Sequence, residues 1–230
     1  MGTSKSYITP KTAQNSSVKR GITNNLRGGR VSIPEVVARF ATAVKTENLS
    51  VGNSSNSFKH YGQQISGVLG FISNAASFGG ILNAINQKYP QNPPRTPQEF
   101  FSRLLEEDSN MGTLDNAVVV IALSLSIKKL EIVDLQQLDE FDFSIFTKEL
   151  LANLVMTCFE QRYTVQIQSK AASLSQAGNK LNEFKEYIYN DIIANTETDD
   201  INQYIQSNNI LATYVETKCA EVFSHLENYI

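Results

Sequence analysis

Apolar residues recur every three or four positions through almost every long segment of this chain, and that period commits it to helices. From Phe58 to Tyr89, the series Tyr61, Ile65, Val68, Leu69, Ile72, Ile81 and Ile85 stays on one helical face. The same spacing appears in Val36, Val37, Phe40 and Val44, and again in Phe100, Phe101, Leu104 and Leu105. It continues in Val118–Leu125, in Leu150, Leu151, Leu154, Val155 and Cys158, in Leu181, Phe184, Ile188 and Ile192, and in Leu211, Val215, Cys219, Val222 and Leu226. Tyr163–Ile167 alternates as a strand does, but no second run bounded by turn residues is present to pair with it. The expected fold is all-α, a helical bundle.

Helix starts are written in side-chain chemistry. Ser32-Ile33-Pro34-Glu35 and Thr96-Pro97-Gln98-Glu99 each set a hydroxyl three residues before a glutamate, with Pro in the first turn, which is the pattern of a capping box. Asp142 is the natural cap of a long helix from about Phe143 to Ser169, and further helices are expected over Leu174–Ala194 and Ile201–Tyr229. Gly79-Gly80 predicts a break in the helical run of residues 58–89. Residues 48–57 read as a polar linker, and Pro90, Pro93 and Pro94 as a stiff connector. The expected organisation is a basic arm over residues 1–31, disordered when alone, an N-terminal helical region over 32–92 and a C-terminal helical domain over 93–230.

The arm differs from the rest in charge. Lys5, Lys11, Lys19, Arg20, Arg27 and Arg30 precede the first acid, Glu35; the other 14 of the 20 Lys and Arg face all 23 acids, a formal −9 for the body. The arm offers only isolated Ile8, Val18, Ile22, Leu26 and Val31 against the entropy of ordering. Spread-out bases on a flexible segment suit electrostatic contacts with a partner or with phosphates. An acidic body and a single aromatic, Tyr7, weigh against nucleic acid as the main partner. Met1-Gly2-Thr3-Ser4-Lys5-Ser6 also satisfies the short pattern for myristoylation at Gly2.

No residue constellation points to catalysis or to a metal. His60 and His225 lie outside any metal-binding spacing, and no phosphate-binding glycine loop follows a strand. Asp139, Glu140 and Asp142, like Asp199 and Asp200, precede helices, where acids complement the helix dipole. Cys158 and Cys219 fall within apolar helical patterns and are expected as reduced core residues of a cytoplasmic protein. No apolar run reaches the roughly 18 residues of a membrane span. The chain is expected to be neither an enzyme nor a cofactor protein.

Two stretches carry a family resemblance. Met1-Gly2-Thr3-Ser4-Lys5-Ser6-Tyr7 opens the chain. Across roughly Phe100–Thr196, Thr113-Leu114-Asp115-Asn116-Ala117 and Ile132-Val133-Asp134-Leu135-Gln136-Gln137-Leu138 precede the long helix after Asp142. Together they resemble the QatB family, a component of bacterial four-gene Qat anti-phage defence systems. The resemblance departs at Ile8-Thr9-Pro10-Lys11, where the family has a Gly/Pro-rich run, and is weak over residues 32–95.

The resemblance implies a non-catalytic adaptor acting with an ATPase, a QueC-like enzyme and a TatD-like nuclease. It also implies that Gly2, once Met1 is removed, offers its α-amine to the QueC-like partner for conjugation to a deazaguanine, with Thr3, Ser4, Lys5, Ser6 and Tyr7 as the docking segment. An α-amine of pKa about 7.7–8.0 is substantially unprotonated near neutrality, and glycine leaves it unhindered. The alternative is a nucleic-acid-binding subunit that recruits the nuclease through the basic arm.

Overall fold

A computed structural model describes residues 11–49, 57–108, 114–140, 142–197, 204 and 208–229. It is all-α: the described residues form helices and contain no strand. The helices are α1 (Ala13–Leu26), α2 (Ile33–Leu49), α3 (Ser57–Asn74), α4 (Ile81–Lys88), α5 (Pro97–Asp108), α6 (Leu114–Lys129), α7 (Phe143–Lys170), α8 (Leu174–Asn195) and α9 (Asn208–Glu227). Short 3-10 helices occupy Ala75–Phe78 and Leu135–Glu140. Tyr163–Ile167 belongs to α7, so the alternating stretch is helical.

The expected caps form. Ser32 Oγ accepts from the Glu35 amide at 3.3 Å and Thr96 Oγ1 from the Glu99 amide at 3.2 Å. Glu99 reaches back to the Arg95 amide at 2.9 Å, one residue before the position a capping box prescribes. Asp142 Oδ1 accepts from the amides of Ser144 and Ile145 at 2.9 and 3.0 Å, which starts α7. The break at Gly79-Gly80 is sharp: the helical run bends by 105° there. Gly80, with φ +111°, offers no side chain to the start of α4, and Asp139 supplies the missing cap, accepting from the Ile81 amide at 2.8 Å. Gly62 allows a close approach in which a Cβ would lie 2.5 Å from the Ala212 carbonyl oxygen.

Two expectations are corrected. The first concerns the arm: residues 13–26 fold into α1, with Thr12 Oγ1 capping the Asn15 amide at 3.1 Å. Val18, Ile22 and Leu26, at i, i+4 and i+8, are all buried, and α1 packs closely along α2. Three apolar side chains suffice because α2 supplies the complementary face, which offsets the ordering entropy that an isolated segment cannot meet. The second concerns boundaries. The chain divides into two compact units with four breaks, after residues 56, 154, 194 and 219, none of them at 31/32 or 92/93. The first unit takes α1, α2, α7 from Val155, α8 to Ala194 and α9 from Ala220; the second takes α3 to α6, α7 to Leu154 and α9 to Cys219. Period and punctuation locate helices, whereas the units are set by which faces meet across distant sequence.

Each unit has its own core. In the first, Phe40 is fully buried with its ring edge-on to Phe159, Tyr163 and Phe223 at centroid distances of 5.3, 6.0 and 5.6 Å. In the second, Phe71, Phe100 and Phe101 form a chain of rings 5.1 and 5.3 Å apart. Cys158 and Cys219 are buried thiols, as their apolar setting requires. Among the described residues, no single helix is long and apolar enough to cross a membrane.

Candidate functional site

The first helix is held by a buried polar network. Asn15, 1% exposed, donates through Nδ2 to Glu47 Oε1 at 2.6 Å and accepts through Oδ1 from the Tyr163 hydroxyl at 2.6 Å. The other carboxylate oxygen of Glu47 accepts from Arg162 at 2.6 Å. Arg39 adds a bond to the Ser17 carbonyl at 3.3 Å while pairing with Glu35 at 2.5 Å. The helix closes with a Schellman motif, in which the Gly29 and Gly28 amides donate to the carbonyls of Asn24 and Asn25 at 2.9 and 3.0 Å. Gly28 takes φ +70°, the left-handed conformation that this motif needs.

With one face of α1 buried, its opposite face is presented outward with its bases. Lys19, Arg20 and Arg27 line a pocket of about 390 Å³ with Thr23, Asn24, Gly29 and Gln166. Positions 20, 24 and 27, and likewise 19, 23 and 27, are neighbours on a helical surface. The polar wall is fixed by a relay: Gln166 Nε2 donates to Thr23 Oγ1 at 3.1 Å, and Thr23 donates to the Lys19 carbonyl at 2.9 Å. Asn24 Oδ1 accepts from the Val31 amide at 2.9 Å. Among the described residues, Lys19, Arg20 and Arg27 have no carboxylate partner.

Of the candidate electrostatic residues, the structure therefore gathers Lys19, Arg20 and Arg27 and leaves Lys11 and Arg30 exposed outside the pocket. Gly2, Thr3, Ser4, Lys5, Ser6 and Tyr7 lie outside the described residues. Sequence reasoning missed Thr23, Asn24, Gly29 and Gln166. The first three were legible from Thr12 as a cap, Val18/Ile22/Leu26 as a stripe and Gly28-Gly29 as a stop. Gln166 was not, since it arrives from 143 positions away.

A second polar cluster ties the end of α9 to α8. Asp191 accepts from the Tyr229 hydroxyl at 2.7 Å and faces His225 Nε2 at 3.1 Å, so both side chains tether this end of the chain to α8. The hydrogen bond to Asp191 pushes the Tyr229 phenol up to about 12. Burial, then the charge of Asp191, also raises Tyr187. Tyr229 thus stays a neutral donor to Asp191 across the ordinary pH range, which suits anchoring. Among the described residues, no group of three or more His, Cys, Asp or Glu could hold a metal ion.

Nearby, Glu227 accepts from Lys45 and, at 3.0 Å, from Thr42. The Lys45 hydrogen bond, assisted by Thr42 and opposed by burial, holds the Glu227 carboxyl below its ordinary value. This tie contributes stability above the unfolded carboxylate pKa of about 4.3 and loses it as pH falls through the depressed folded value. Glu227→Gln is expected to lower the melting temperature by about 1–3 °C at neutral pH. Melting curves across pH should show that difference closing in acid; a constant gap would contradict the assignment.

No family model, curated protein or solved structure matches the chain.

Proposed function

We propose that this protein is a non-catalytic adaptor of an anti-phage defence complex, of the QatB kind, that presents its opening segment to a QueC-like partner. One observation supports the reading: α1 is anchored by Asn15, Glu47, Arg162 and Tyr163 and exposes bases on its outer face, directly after the segment that holds Gly2. An α-amine joined to a helix that a partner engages meets that partner's active site at high effective concentration. The ATPase and the TatD-like nuclease complete the partner set in this reading. The cofactor-like group is a deazaguanine joined to Gly2 through an amide, formed as the amine displaces AMP from an activated carboxylate.

The experiment is intact and peptide mass spectrometry of the protein made with and without the QueC-like partner. A partner-dependent adduct on a Met-less terminus is expected, and Gly2→Glu should abolish both the adduct and phage protection. Full protection by Gly2→Glu would overturn the proposal. The second reading, a nucleic-acid-binding subunit, draws on the convergence of Lys19, Arg20 and Arg27. It requires DNA binding that weakens steeply with salt and is lost when these residues and Arg30 are neutralised.

A further inference from the structure

We infer that the pocket on α1 binds a small phosphate-bearing ligand of nucleotide size. This inference goes beyond the adaptor role and does not depend on it. Three cations without carboxylate partners converge on one concave site in a chain whose residues from Glu35 onward carry a formal −9, so the positive potential is local. Two arginines suit a phosphate because the planar guanidinium donates in a fork that matches two phosphate oxygens, and Lys19 adds a compact point charge.

The rest of the wall suits the remainder of a nucleotide. Gln166, oriented by its bond to Thr23, keeps an amide oxygen as acceptor, and Asn24, held by the Val31 amide, keeps an amide nitrogen as donor. This pair complements the donor and acceptor edge of a base. The volume of about 390 Å³ lies within the usual range for small-molecule sites of roughly 300–1,000 Å³. An extended polyanion would leave this patch for an acidic body, so the free nucleotide is favoured over nucleic acid.

The test is titration calorimetry of the full chain with adenosine and guanosine mono- and triphosphates, with inorganic phosphate and a single-stranded oligonucleotide as further probes. A nucleotide is expected to bind. Arg20→Ala and Arg27→Ala should each weaken it about tenfold or more, since each removes charged hydrogen bonds. Lys11→Ala, outside the pocket, should leave the affinity unchanged. All three positions are exposed, so melting temperatures that match the parent will exclude misfolding as the cause. Three results would overturn the inference: no binding of any nucleotide, binding indifferent to Arg20 and Arg27, or inorganic phosphate binding as tightly as the nucleotide. Tighter, salt-sensitive binding of the oligonucleotide through the same arginines would replace it with the nucleic-acid reading.

Discussion

Phe40→Ala is expected to destabilise the first unit by about 3–5 kcal/mol, the range for removing a fully buried aromatic. The ring is completely enclosed and touches Phe159, Tyr163 and Phe223 edge-on, so truncation removes apolar burial and three aromatic contacts together. The three neighbours come from the first unit's portions of α7 and α9, both long helices that cannot close over the space independently. Chemical denaturation should show a lower midpoint with little change in slope. Phe40→Leu, which keeps much of the volume, should recover a large part of the loss. A cost below about 1 kcal/mol for Phe40→Ala would mean that the cluster is not packed as described.

Glu47→Ala should rival it, at about 3–5 kcal/mol, for a different reason. Glu47 is the hinge of the network, receiving Asn15 on one oxygen and Arg162 on the other. The side chain of Arg162 is only 5% exposed, so deleting Glu47 removes a charge-assisted bond where water replaces it poorly. Removing Glu47 and Arg162 together should cost less than the sum of the two single changes, because the bond between them is then lost only once. A double-mutant cycle with Arg162→Met measures this, and a double variant worse than the sum of the singles would contradict the network. Because Asn15 belongs to α1, Glu47→Ala should also loosen the basic pocket, visible as faster amide exchange across residues 13–26.

The helices were legible because their causes are local. Ser32, Thr96 and Asp142 each cap the helix that follows within three residues, and the stripe of α8 through Phe184, Ile188 and Ile192 is buried as its spacing demands. What was not legible depends on encounters between distant segments. Asp139 reads as an acid that complements the dipole of the helix next to it, yet it caps α4 from 58 positions away. The arm was judged on its own sparse apolar content, and α2 is what makes Val18, Ile22 and Leu26 sufficient. Charge composition groups Lys19, Arg20 and Arg27 with Lys11 and Arg30, and only helical geometry separates them. A pocket that needs Gln166 from α7 cannot be found in a window around residue 20.

The hydrogen bond from Thr42 to Glu227 spans 185 residues. During synthesis, α1 and α2 emerge first and then wait for α7, α8 and the end of α9, a delay of about 10–40 s at ordinary elongation rates. Phe40 gains Phe159 and Tyr163 only when α7 is made, and Phe223 only with the end of α9. The unit that carries the basic pocket is thus completed only when the segment from Ala220 joins helices made long before it.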